Sequence, residues 1–137
     1  MNRAMFQRIA GLRFREAESL LGAGFPSGAY YLAGYAVECA LKACIAKRVR
    51  RYDFPDRDFV KESYTHNFEI LFRTAELVGL RDDEIRRDAQ FGQNWQDCKE
   101  WKEDSRYNIW ARAEAQKLIG AIIDADHGVL PFIQRHW

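Results

Sequence analysis

The stretch Pro26-Ser27-Gly28-Ala29-Tyr30-Tyr31-Leu32-Ala33-Gly34-Tyr35-Ala36-Val37-Glu38-Cys39-Ala40-Leu41-Lys42-Ala43-Cys44-Ile45-Ala46-Lys47-Arg48 decides the fold. Proline suits the first turn of a helix, where its missing N–H costs nothing. Ala29, Leu32, Ala33, Ala36, Val37, Ala40, Leu41, Cys44 and Ile45 then recur at steps of three and four, which is one face of a helix. Most of these side chains are small, so a neighbouring helix can come close. The run ends in Lys47-Arg48-Val49-Arg50-Arg51, whose cations oppose the negative end of the helix dipole. A phosphate site is the sharper alternative for that run.

Upstream, Phe6, Ala10, Ala17 and Leu21, with Ile9, Leu12 and Leu20 beside them, predict a helix from Arg3 to Leu21 that Gly22-Ala23-Gly24 stops. Arg3, Arg8, Arg13 and Arg15 read as solvated cations on that helix rather than as a transit peptide. Downstream, residues 52 to 65 read as a loop containing Pro55. A third helix is expected from Thr65 or His66, with Phe68, Leu71, Phe72 and Ala75 on one face and Gly79 at its end. Asp82-Asp83-Glu84 suit the start of a fourth helix, reaching Lys102. A fifth begins near Asn108 with the stripe Ala111, Ala115, Leu118 and Ile122, and the last segment is interrupted by Gly128 and Pro131. The reading is all-α, an up-and-down bundle of four to five helices, with residues 1–137 as a single domain.

Composition agrees with a folded core: 137 residues, 47% hydrophobic and 30% charged, with only three prolines. A net charge of +1 argues against wholesale wrapping of nucleic acid but leaves room for a small phosphate pocket. Cys39, Cys44 and Cys98 are odd in number and form no ligand pattern, which reads as reduced thiols in a cytoplasmic protein with no metal and no cofactor. No apolar run is long enough to span a membrane.

The other face of the second helix aligns Tyr31, Tyr35, Glu38 and Lys42. Such a line suits a polar pocket in which tyrosines stack on a base or bind a phosphate; the plainer reading is an interhelical seam or a dimer surface of amphipathic tyrosines. Arg106, in Ser105-Arg106-Tyr107, stands before the predicted fifth helix, where an arginine and backbone N–H groups can hold an anion together. The alternative is an ion pair with Glu103, Asp104 or Glu38. His66 reads as a helix cap or packing residue rather than a general base, and His127 and His136 receive no role. No Ser–His–Asp arrangement or glycine-rich phosphate loop is present.

The segment Ala29–Ala43 resembles the signature helix of HEPN domains. Thr65-His66-Asn67-Phe68 with Leu71, then Ser105-Arg106-Tyr107, then a late helix are similar to the same family in the same order, over residues 5 to 125. The resemblance implies a helical bundle that forms homodimers. Many members are RNases, often toxins in toxin–antitoxin pairs; others partner small nucleotidyltransferase proteins or bind nucleotides or RNA. The RNase members use Arg-x4–6-His, but the positions after Arg106 hold Ala111, Arg112 and Ala113 here. Without that histidine, general acid–base help, worth about 10²–10⁴ in rate, is lost. The expectation is therefore a non-catalytic nucleotide- or RNA-binding module, dimeric, with a nucleotidyltransferase as candidate partner and Tyr35, Glu38, Lys42, Arg106 and Tyr107, with Tyr31, lining the site. The alternative is a divergent metal-independent RNase built on Arg106 and Tyr107.

Overall fold

In the computed structural model, residues 1–50 and 53–137 are described; Arg51, the last cation of the basic run, and Tyr52, the first residue of the expected loop, lie outside them. The first helix, α1 (Arg3–Gly22), starts where Asn2 Oδ1 accepts the Met5 N–H at 3.0 Å. Gly24 takes a positive φ of 88° in the turn that follows. Helix α2 (Pro26–Arg48) begins at its proline as expected and is the central element. It packs against α1 along its length and also meets later helices on its other sides. It is therefore buried nearly all round, with Glu38 among its buried residues.

The second half of the chain is cut more finely than its periodicity suggests. The described residues form eight α-helices and one 3-10 turn rather than four to five helices, with no strand. The expected loop 52–65 contains α3 (Arg57–Ser63), started by the Asp56 carboxylate, which accepts the Asp58 N–H at 2.8 Å. Helix α4 (Phe68–Thr74) begins later than expected, because Asn67 rather than Thr65 or His66 is its cap, accepting the Ile70 N–H at 3.1 Å. It ends before Gly79: Glu76 adopts a left-handed φ of 59°, and the Leu77 N–H returns to the Phe72 carbonyl at 2.9 Å. Arg48, at the end of α2, fixes this corner by donating to the Thr74 carbonyl and to Glu76.

The single helix expected over Asp82–Lys102 is two, α5 (Val78–Arg87) and α6 (Ala89–Lys99). Asp82, Asp83 and Glu84 lie inside α5 rather than at its start. The break falls at Asp88, whose extended backbone lets its carboxylate accept the Phe91 N–H at 3.0 Å. A 3-10 turn (Glu103–Tyr107) follows, and α7 (Arg112–Ile123) starts at Arg112 instead of Asn108. Helix α8 (Val129–Gln134) accommodates Pro131 in its first turn.

The core joins Phe14, Ala33, Val37, Leu41, Phe72, Phe91, Leu118, Ile122 and Phe132 with their neighbours. Gly34 matters to it because the Trp101 indole lies directly on the α2 backbone there, and a Cβ at this position would overlap the ring. Phe68 stacks on Trp101 with centroids 5.1 Å apart. Arg81 is buried with its guanidinium 5.0 Å from the Phe72 ring centre and 4.8 Å from that of Trp95, and it pairs with Glu69 at 2.9 Å. Among the described residues, no helix is long and apolar enough to cross a membrane.

Candidate functional site

Three separate segments meet beside the middle of α2. The helix itself supplies Tyr31, Tyr35, Glu38 and Lys42; the residue before the Asn67 cap supplies His66; the 3-10 turn supplies Glu103, Arg106 and Tyr107. The 3-10 turn is fixed by Trp110. Its backbone N–H donates to Ser27 Oγ at 2.9 Å, its indole N–H to the Ser105 carbonyl at 3.0 Å, and its ring stacks on Tyr30 at 3.8 Å. The start of α2 thus sets where Arg106 stands.

Glu38 is 1% exposed. A carboxylate so buried is costly unless cations and hydrogen-bond donors surround it. Lys42 Nζ donates to its Oε1 at 2.8 Å, across the i,i+4 step expected from the sequence. His66 Nδ1 lies 3.0 Å from Oε1 and 2.9 Å from Oε2. On the far side of the same imidazole, Nε2 lies 3.2 Å from Glu103 Oε2. Glu103 Oε1 then accepts from Arg106 at 2.7 Å. The result is a line of alternating charge and hydrogen bonding: Lys42, Glu38, His66, Glu103, Arg106.

Arg106 ends this line at the surface, with 40% of its side chain exposed. Its guanidinium sits 4.9 Å from the Tyr107 ring centre. The hydroxyls of Tyr107 and Tyr31 and the Glu103 carboxylate, in that order, hold its pKa above the ordinary arginine value. Tyr31 and Tyr35 stack at 6.1 Å, and burial, followed by the neighbouring Cys39 and Glu38, raises the Tyr35 phenol. Tyr35 is thus a neutral hydrogen-bond donor at physiological pH. Burial also pushes the Cys39 thiol up to about 11, which makes it a poor nucleophile.

The six residues singled out from the sequence fall into two groups. Tyr35, Glu38 and Lys42 line a groove of about 450 Å³ between α1, α2 and the end of α3. Tyr31, Arg106 and Tyr107 gather at the opposite, outer end of the line. Between them, His66, Trp101 and Glu103 line a second cleft of about 440 Å³ together with Lys99 and Lys102. The Glu38–His66 contact separates the two openings. Two expectations are corrected. Arg106 belongs to a 3-10 turn and not to a helix N-terminus, since α7 begins six residues later at Arg112. His66 is neither cap nor core residue: Asn67 is the cap, and His66 joins the two carboxylates. A glutamate flanked by the Ala36-Val37 and Cys39-Ala40-Leu41 segments, needing more than one lysine to be buried, was the signal that could have revealed such a partner.

Both ring nitrogens of His66 face carboxylates, so neither offers a free lone pair to a substrate in this arrangement. Glu38, His66 and Glu103 also do not surround a common point, and among the described residues no three His, Cys, Asp or Glu side chains form a metal cradle. Compared with protein-family models, curated proteins and solved structures, the chain matches none.

Proposed function

We propose that the chain is a non-catalytic, HEPN-type module that binds a nucleotide or an RNA end through Arg106, acting as a homodimer and pairing with a nucleotidyltransferase in a toxin–antitoxin-like arrangement. The observation carrying this reading is the placement of Arg106, a surface guanidinium anchored from behind by Glu103 and flanked by the exposed Tyr107 ring. A phosphate can take up the donors that Glu103 and the Tyr31 and Tyr107 hydroxyls leave unused, while a base stacks on an aromatic face. The Lys42–Glu38–His66–Glu103 line is then a rigid support that fixes the arginine. Because His66 is engaged at both nitrogens, binding is favoured over catalysis. Calorimetry with ATP, GTP and a short single-stranded RNA tests the reading, with a pull-down for the partner protein. Absence of binding to all three, together with no partner, rejects it.

A second reading, a divergent metal-independent RNase, gains from one feature. His66 stands one side chain away from Arg106, a proximity that the sequence interval does not offer. Release of Glu103 would free Nε2 for proton transfer. Incubation with cellular RNA separates the readings: cleavage abolished by both Arg106→Ala and His66→Gln supports the enzyme, and no cleavage by the intact chain supports the binding module.

A further inference from the structure

The groove on the Lys42 side of Glu38 is distinct from the Arg106 surface and has the make-up of a small-molecule site. Its volume of about 450 Å³ is in the range of ligand pockets, which run from roughly 300 to 1,000 Å³. Phe6, Ile45, Ala46 and Val49 give it apolar walls, while Tyr35 and Lys42 line it nearer the start of α2. Among the described residues, Lys42 Nζ makes one hydrogen bond, to Glu38, although an ammonium carries three donors. Only 15% of the Lys42 side chain is exposed, so its remaining donors look into the groove rather than into bulk water. The one acid lining the groove, Glu38, is already held by Lys42 and His66. Lys42 thus offers donors without a competing free carboxylate, and the walls offer apolar surface.

We infer that this groove binds an amphipathic monocarboxylate, its head group on the Lys42 ammonium and its alkyl chain along Phe6, Ile45, Ala46 and Val49. The head group accepts from the Lys42 Nζ donors that Glu38 leaves unused. Each methylene placed on the apolar walls tightens binding about three- to fourfold. A chain ending in an ammonium meets Lys42 with like charge and is rejected.

The test is calorimetry and ¹H–¹⁵N NMR titration of the full chain with butyrate, hexanoate, octanoate and octylamine, each below its micelle concentration. Affinity should rise from butyrate to octanoate, with shifts centred on residues 42–49, and octylamine should shift none of them. Lys42→Met should weaken octanoate at least tenfold. Because that change also removes a partner of Glu38, a second variant is needed: Ala46→Trp, at a half-buried position, fills the groove and should abolish the shifts with the fold intact. Failure of octanoate to bind, equal binding of octylamine, or binding that survives Ala46→Trp overturns the inference. Arg106→Ala should leave octanoate binding unchanged, so the groove and the nucleotide surface are judged separately.

Discussion

His66 Nδ1 lies 2.9 Å from Oε2 of the buried Glu38 carboxylate, joining residues 28 positions apart in the chain. The contact ties the segment before α4 to the middle of α2 and, with the Lys42 hydrogen bond, gives the buried carboxylate its polar partners. Removing the carboxylate leaves Lys42 and His66 without their common acceptor. Glu38→Ala should cost about 1–3 kcal/mol, because Lys42 and His66 lose their acceptor but both stay partly exposed to water. Glu38→Gln, which keeps the shape and one acceptor, should cost less. Urea denaturation of the two variants checks the order; a cost below about 1 kcal/mol for Glu38→Ala would mean that the pair is not part of the folded core.

Gly34 and Gly120 are both helical, yet they should respond to alanine in opposite directions. At Gly34 the added methyl overlaps the Trp101 ring, and overpacking of this kind costs roughly 1–3 kcal/mol. With the new Cβ well inside van der Waals contact of three atoms of the buried ring, this outweighs the helix-propensity gain of about 1 kcal/mol. At Gly120 in α7 nothing lies within 4 Å of the new Cβ, so the propensity gain stands alone and the protein should be stabilised by about 0.5–1 kcal/mol. Thermal unfolding of the two variants, with tryptophan fluorescence for Gly34→Ala, reads the difference.

The His127–Asp88 pair should make stability depend on pH. His127 Nδ1 meets Asp88 Oδ2 at 2.6 Å, which ties the turn before α8 to the α5–α6 corner. The hydrogen bond with His127 lowers the Asp88 carboxyl from its ordinary 3.8, and the same bond raises His127 from 6.5. The Asp88 contribution is present above 3.8 and is lost as pH falls through its lowered folded value. The His127 contribution is complete below 6.5 and is lost as pH rises through its raised folded value. The stability difference between the parent and His127→Gln should therefore be largest between those two ordinary values and shrink on either side. Taking the difference removes His136, whose pKa burial lowers. A flat difference across pH 3–9, measured by urea unfolding, would contradict the pairing.

The legible part of the chain was the part whose neighbours are local. Helix α2 announces itself because Ala33, Ala36, Val37, Ala40 and Leu41 repeat at helical steps and Pro26 marks its start. The later boundaries depend on events that periodicity does not record. Asp88 breaks one predicted helix into two by capping the second, and Glu76 ends α4 in a left-handed conformation ahead of Gly79, the stop that composition predicts. The site divides in the same way. Glu38 to Lys42 is an i,i+4 pair visible on a helical wheel, and Arg106 to Glu103 is an i,i+3 pair. The burial of Glu38, and His66 as the link between the two pairs, are long-range facts set by packing of the 65–68 segment and the 3-10 turn onto α2. Tyr31, Tyr35, Glu38 and Lys42 do share a line, but it is covered in its middle and opens differently at its two ends.

The most direct measurement of the central claim is calorimetric titration of ATP, GTP and a short single-stranded RNA into the parent chain and Arg106→Ala, at two salt concentrations. The Arg106–Glu103 pair is exposed at the surface, so the substitution should change stability by no more than about 0.5 kcal/mol. The account predicts that at least one of these ligands binds, more weakly at higher salt, and that Arg106→Ala reduces its affinity at least tenfold while unfolding is unchanged. No binding by the parent, or binding that Arg106→Ala leaves intact, would contradict it.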